Sequence, residues 1–375
     1  VFHESLARGE GDLYEVRTLD ELRGKRGGVN KGETLEDWKR ILKVNYWPIF
    51  DIARRILEVI PADTSRPLLE SLVTTATELV ANHMMHSHDL TGAVFQRLIA
   101  DRKFLAAYYT NPASAALLVG LGIDHLTTPG GGSWSKENDV TVLRIADFAC
   151  GTGTLLSAAC QGLYFARETF GGDAEMIHPA MMSNALVGCD VLPAAAHLTA
   201  SMLASAHPTV TYKGSSIMAL GFGARPGGGF ALGSLDLLDL QRPLDIVAVT
   251  ARSIGATGQS EQHVWEAVNH WSIDLVIMNP PFTRDTGHEG VKSTVPNPMF
   301  AAFGSKEEDQ KEMAKAAKRL LQGTSAHGNA GEASAFLALA DRKLKNGGTL
   351  AMVMPLSLMG GESWEDSRQL LRKSY

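Results

Sequence analysis

The stretch Val142-Leu143-Arg144-Ile145-Ala146-Asp147-Phe148-Ala149-Cys150-Gly151-Thr152-Gly153-Thr154-Leu155-Leu156 reads as a β-strand, a glycine turn and the start of a helix. A short apolar run ends on an acid, two glycines allow a tight backbone path, and apolar residues then resume. Open parallel sheets bind ligands at the carboxyl ends of their strands, and a helix beginning there offers N–H groups without partners. Gly151 and Gly153 therefore mark a place where a ligand can approach the main chain closely. Nucleotide-dependent oxidoreductases share the Gly-x-Gly pattern. They add a third glycine three residues on, where this chain has Leu156, and a ribose-binding acid about 20 residues further. Here the next strand-end acid is Asp190, in Ala185-Leu186-Val187-Gly188-Cys189-Asp190, 37 residues beyond Gly153. Both differences argue against a nicotinamide dinucleotide. From residue 140 onward strands and helices alternate, the pattern of an α/β fold with a doubly wound, mostly parallel sheet.

Asp147 and Asp190, at the ends of two neighbouring strands, suit a ligand with a cation at one end and a ribose diol at the other, as S-adenosylmethionine has. A third strand signal, Ile273-Asp274-Leu275-Val276-Ile277-Met278, closes on Asn279-Pro280-Pro281-Phe282. Two consecutive prolines fix φ and remove two backbone donors, so the turn is stiff and the Pro280 carbonyl lacks a local N–H partner. An –NH2 group can bridge the Asn279 amide oxygen and that carbonyl, with its lone pair aimed outward at a methyl donor. Phe282 gives a flat ring a face to stack on. The bland alternative is a proline-stiffened strand exit.

In this order the elements resemble the amino-group DNA methyltransferases that make N6-methyladenine, especially the modification subunits of type I restriction systems. The resemblance runs over roughly residues 80 to 375 and begins with Lys103-Phe104-Leu105-Ala106-Ala107-Tyr108-Tyr109-Thr110-Asn111-Pro112, which matches an aromatic-Thr-x-Pro cofactor segment. It implies a class I S-adenosylmethionine-dependent methyltransferase fold behind an α-helical N-terminal domain. It implies cofactor contacts at Tyr109, Thr110, Asp147, Ala149, Gly151, Gly153, Asp190, Val191, Asp236 and Leu237. Asp190 would take the ribose, Val191 would lie beside the cofactor adenine, and the acid of Gly233-Ser234-Leu235-Asp236-Leu237-Leu238 would accept from its amine. Asn279, Pro280, Pro281 and Phe282 would form the catalytic turn, and Lys345 to Pro355 the later turn and fifth strand. Phe148 stands where the family more often has proline. Glutamine-amide and guanine-N2 methyltransferases share Asn-Pro-Pro-aromatic and remain alternatives, as does a non-catalytic cofactor-binding scaffold.

A chain of 375 residues, 45% hydrophobic and 20% charged, can bury a full core. No apolar run approaches the roughly 20 residues of a membrane span, and the N-terminus lacks a signal-peptide core, so the expectation is a cytoplasmic protein away from membranes. Cys150, Cys160 and Cys189 show no zinc spacing. His83-Met84-Met85-His86-Ser87-His88-Asp89 is rich in ligands but lacks a metal-binding motif, and no metal is expected. The net charge of −6 runs against a protein that grips duplex DNA by itself, because phosphate contacts need cations. The expected partner is double-stranded DNA, with the recognition module on another subunit or beyond residue 375.

The expected organisation is an irregular lead-in at 1–32, a helical domain at 33–125 that includes the Tyr-Thr-x-Pro segment, and a catalytic domain at 135–375, incomplete at its C-terminus. The glycine-rich Gly221 to Gly233 reads as a mobile excursion. Residues 283 to 332 read as a long polar loop that orders over an extruded base, although Lys311 to Arg319 within it has the pattern of a solvated helix.

Overall fold

The computed structural model describes residues 2–4, 6–8, 15–23, 28–44, 47–81, 110–124, 126, 136–207, 210–212, 214–225, 227–241, 244, 246–249, 266–282 and 307–375. The chain opens with helices: α1 (Leu19–Arg23), α2 (Lys31–Val44), α3 (Trp47–Val59) and α4 (Ala62–Ala81). Local chemistry sets the start of α2, where the Asn30 side-chain oxygen accepts from the amides of Gly32 at 2.8 Å and Glu33 at 3.3 Å. Leu69, Val73 and Ala76, spaced along one face of α4, close a small core with Leu19, Leu22 and Val29. The stretch expected to be irregular thus contains α1, and it is tied down. The guanidinium of Arg17 grips the fully buried Asp37 of α2 at 3.0 and 3.1 Å, and Arg40 adds a third contact. A charged side chain at full burial needs such partners.

Next come α5 (Pro112–Asp124), α6 (Glu137–Thr141), β1 (Ile145–Asp147), α7 (Thr154–Thr169), α8 (Ala174–Ala180), β2 (Leu186–Asp190), α9 (Pro193–Ala204) and β3 (Ser216–Leu220). A hairpin of β4 (Phe222–Ala224) and β5 (Phe230–Leu232) precedes β6 (Ile246–Val249) and β7 (Ile273–Met278). Then follow α10 (Glu307–Leu320), α11 (Glu332–Lys343), β8 (Leu344–Met352) and α12 (Glu365–Ser374). The main sheet has the order β6-β3-β2-β1-β7-β8. All neighbours are parallel except β6, which runs antiparallel to β3. The fold is α/β, doubly wound and mostly parallel, behind a helical N-terminal region.

Alternation along the strands decides the two cores. Ile145, Leu186, Ile217, Leu275 and Ile277 enter one, while Ala146, Val187, Met218, Val276 and Met278 enter the other. The first core is continuous with Phe2, Leu6, Ile41, Leu42 and Phe50, so the N-terminal helices rest on that face of the sheet. Helix α5 lies against the same face. A side chain at Gly122 would meet Leu275 of β7 at 3.1 Å and Ala351 of β8 at 3.5 Å, so glycine permits this close seat.

Two expectations about loops are corrected. Gly221 to Gly233 forms the β4–β5 hairpin, whose turn uses Gly228 and Gly229 at φ 94° and 81°. Within the expected long loop, residues 307–320 are α10, which agrees with the helical pattern of Lys311 to Arg319, but one face is not solvated, since Met313 and Ala317 pack one turn apart in the second core. Residues 283–306 lie outside the described residues. So do the His83 to Asp89 cluster and Tyr109.

The first core carries a titrating group that predicts acid sensitivity. His178 is fully buried, its Nδ1 faces the Tyr164 hydroxyl, and its ring meets that of His207 edge-on at 5.2 Å between centroids. Burial first, then the neighbouring His207, pushes it down to about 3. An unfolded histidine titrates near 6.5, so protons favour the unfolded chain below that pH. The stability this neutral ring contributes is therefore complete above about pH 6.5 and is lost as the pH falls toward 3. At pH 5 the loss is expected to reach roughly 2 kcal/mol. Denaturant midpoints at pH 7 and pH 5 should converge in a His178→Gln variant; an unchanged gap would show that other groups set the acid limb.

Candidate active site

The strand order reverses direction at β1. Strands β2 and β3 lie to one side of it and β7 and β8 to the other, which opens a crevice between the carboxyl ends of β1 and β7. The glycine loop leaves β1 and the Asn-Pro-Pro-Phe turn leaves β7, so the fold sets the two sequence signals side by side.

The loop is held from below. Gly151 sits at φ 53° and Gly153 at φ 82°, both in the left-handed region. A Cβ on Gly153 would fall 2.7 Å from Thr199, whereas one on Gly151 would meet nothing within 4 Å. Gly153 is needed for packing as well as for its turn, and Gly151 faces open space where main chain can meet a ligand. Thr199 on α9 donates to the Gly151 carbonyl at 2.8 Å, and Ser234 donates to the Phe148 carbonyl at 2.6 Å. Neither support was foreseen; the only cue for Thr199 is a hydroxyl on the alanine-rich, apolar face of α9. Phe148 itself is a core residue, 1% exposed, so its departure from proline leaves the loop's open side unchanged. Gly153 caps α7 without any side-chain hydrogen bond, which leaves the amides of the first helical turn facing the site.

The two strand-end acids have different surroundings. Asp190 is half-buried and accepts from the amides of Gly151 at 2.9 Å and Leu192 at 2.8 Å. A carboxylate has about four lone-pair sites, so it can still accept from a diol. Asp147 is 1% exposed and accepts from the Ala149 amide at 3.0 Å. Burial pushes its carboxyl up to about 8, so near pH 7 it is mostly a neutral acid. That state suits an anchor beneath the loop better than a partner for a cation. Burial likewise drives the Cys150 thiol well above its ordinary range, and Cys150 serves as a small packing residue.

At the other end of Asp190, the half-buried Val191 packs over Gly233; a Cβ there would fall 2.5 Å from it. The structure thus brings Val191 and the Gly233–Leu238 segment together. It does not present Asp236 and Leu237 to a ligand. The Asp236 carboxylate takes Arg225 at 2.8 Å and the Leu232 amide at 2.9 Å, and the two residues are 2% and 0% exposed. Asp236 closes the hairpin and Leu237 fills the second core. The hairpin is held by Phe222, Phe230 and Leu232 packing on the second core, and the buried ion pair ties its Arg225 end to Asp236.

At the end of β7, the Val353 amide donates to the Met278 carbonyl at 2.9 Å and fixes the strand exit against β8. Asn279 is half-buried and Pro280 buried. The Asn279 Nδ2 donates to the Thr110 hydroxyl at 3.2 Å, so the aromatic-Thr-x-Pro segment meets the Asn-Pro-Pro-Phe turn directly. Asn279 Oδ1 is buried, and among the described residues no donor reaches it. A buried acceptor left in that state costs about 1–3 kcal/mol. Phe282, like Met354 and Leu358, packs against the buried cluster of Ala330, Ala333 and Trp364, which steadies the ring at the rim. In the turn after β8, Leu356 and Met359 are 87% and 78% exposed.

Among the described residues no cluster of three His, Cys, Asp or Glu is placed to hold a metal ion, and no helix is long and apolar enough to cross a membrane. No protein-family model matches the chain, and no curated protein matches it. Among solved structures, DrdV in a cryo-EM complex with DNA aligns with 100% of this chain and 31% of its own, with 13% identity and a TM-score of 0.46. A crystal structure of a modification subunit assigned to a type I restriction enzyme of Vibrio vulnificus YJ016 aligns with 95% of this chain and 54% of its own, with 14% identity and a TM-score of 0.36. The chain therefore spans about a third of the first and about half of the second.

Proposed function

We propose that this chain transfers a methyl group from S-adenosylmethionine to the exocyclic N6 amine of adenine in DNA, within a restriction-modification or phage-defence system. The observation that carries the reading is the Asn279 amide. Its donor end is tied to Thr110, and among the described residues its buried acceptor end lacks a donor at the crevice where the glycine loop also ends. An amine is the group that completes it. Oδ1 takes one amine proton and the Pro280 carbonyl takes the other, which turns the nitrogen lone pair outward.

The residues present fit the cofactor. The open side of Gly151, the uncapped start of α7 and the remaining acceptor capacity of Asp190 form a cradle for a nucleoside with a ribose diol. When bound, S-adenosylmethionine supplies a methyl group on a sulfonium. The protein's share is alignment and exclusion of water, which in favourable cases removes roughly 7–11 kcal/mol of barrier. Asn279 and the Pro280 carbonyl hold the amine as it gains a fourth bond, and its surplus proton leaves afterwards, so no histidine base is required. A base inside a duplex cannot reach this crevice, and Phe282 gives an extruded adenine its stacking face. The net charge of −6 favours a duplex grip supplied largely by a recognition module outside these residues.

The test is to incubate the protein, in its native assembly, with methyl-tritiated S-adenosylmethionine and separate pools of duplex DNA, ribosomal RNA and peptide release factors. Label in N6-methyladenine of DNA is the expected result. Label confined to RNA or protein would keep the amine chemistry and overturn the substrate, and label nowhere would overturn the transferase reading.

A further inference from the structure

Resting on that reading of the site, we infer that Thr110 is a positioning residue for Asn279, setting which end of the amide faces the amine, rather than a cofactor contact. The two ends of a carboxamide have nearly the same shape, so hydrogen bonding alone decides their orientation. In the productive orientation Oδ1 faces the amine and Nδ2 faces away, and Nδ2 then needs an acceptor. The Thr110 hydroxyl is that acceptor, at 3.2 Å, from a residue 169 positions distant in the chain. The reversed amide would turn its own donors on the amine protons, and the substrate would lose its grip.

The hydroxyl is held in place by rigid neighbours. Asn111 starts α5 by accepting from the Ala113 amide through its side chain and from the Ala115 amide through its carbonyl, both at 2.9 Å. Helix α5 in turn sits on Leu275 of β7 and Ala351 of β8 through Gly122. The strand that leads into Asn279 and the helix that follows Thr110 are thus packed as one unit. A hydrogen bond between such supports holds the amide at little entropic cost, with the Thr110 hydroxyl as the acceptor in the orientation seen.

Thr110→Val keeps the shape and removes the acceptor, while Thr110→Ser keeps the acceptor. With methyl-tritiated S-adenosylmethionine and bulk genomic DNA free of N6-methyladenine, Thr110→Val is expected to lower the transfer rate at saturating cofactor about tenfold, which is about 1.4 kcal/mol of barrier. Cofactor Kd by titration calorimetry should stay within about twofold, and Thr110→Ser should restore most of the rate. Melting temperatures check the fold, and if the valine variant melts early, Thr110→Ala against Thr110→Ser makes the same comparison. A valine variant with the wild-type rate would overturn the inference, as would one with weakened cofactor binding and an unchanged saturated rate. Wild-type protein that labels no DNA fails the proposed function itself, before any variant is compared.

Discussion

Asn279→Ala is expected to lower methyl transfer by roughly a thousandfold while leaving cofactor affinity within a few fold. The substitution removes the acceptor that orders the amine and strands the second amine proton on a single carbonyl. Preorganised groups aimed at reacting atoms are worth about 10²–10³ in rate each, and here the same group also sets the attack angle. The fold should tolerate the change, because Asn279 sits at a strand exit fixed independently by the Val353 amide and by two prolines. Its Oδ1, which no donor among the described residues reaches, is a cost in the free protein, so the variant should be no less stable than wild type, with a gain of up to about 1–3 kcal/mol. Single-turnover transfer, cofactor titration and thermal melting read the three quantities separately. Normal turnover would remove Asn279 from the chemistry, whereas a joint loss of melting temperature and cofactor binding would make it a structural residue.

Asp190→Ala should act on the other half of the crevice and raise the cofactor Kd about a hundredfold, or about 2.7 kcal/mol. The carboxylate is expected to accept the ribose diol while it holds the amides of Gly151 and Leu192, so its loss removes a ligand contact and slackens the loop together. Hydrogen bonds to a charged acceptor contribute roughly 1.5–3 kcal/mol each. Asp190→Asn keeps one acceptor and should fall between the two. At saturating cofactor the transfer rate of both variants should approach wild type, since neither touches the amine. Unchanged Kd in calorimetry would sink the assignment.

Much of the architecture was legible because it is periodic. Buried parallel strands show as short apolar runs, and those ending in Asp147, Asp190 and Met278 fell where the sequence put them, as did the helix start after the glycine loop. The two glycines were legible because only glycine tolerates their geometry. What sequence could not show is which partner a polar side chain chooses. Asp236 looked like a ligand-facing acid until Arg225 and the Leu232 amide occupied it. Thr110 looked like a cofactor contact, and its hydroxyl faces Asn279. Ser234 gave no local signal, and Thr199 only a hydroxyl on an apolar helix face, because the groups they serve are main-chain carbonyls brought close only by the fold. Glycine content was read as mobility in the hairpin, where cross-strand bonds and one buried ion pair in fact hold it.

The place of β7 between β1 and β8 also bears on how the chain is made. During synthesis β1 can pair with β2 as soon as both emerge, yet its other edge waits for β7, whose first residue comes 126 positions after Asp147. At about 5–20 residues per second a ribosome needs on the order of ten seconds to cover that gap. For that time the nascent sheet presents the apolar edge of Ile145 and Ala146, an invitation to pair with the wrong chain. Arrival of β7 covers that edge and delivers Asn279 to the crevice in the same event, while its own outer edge then waits for β8. A ribosome stalled before residue 273 would therefore leave a product that lacks Asn279 and keeps the β1 edge open.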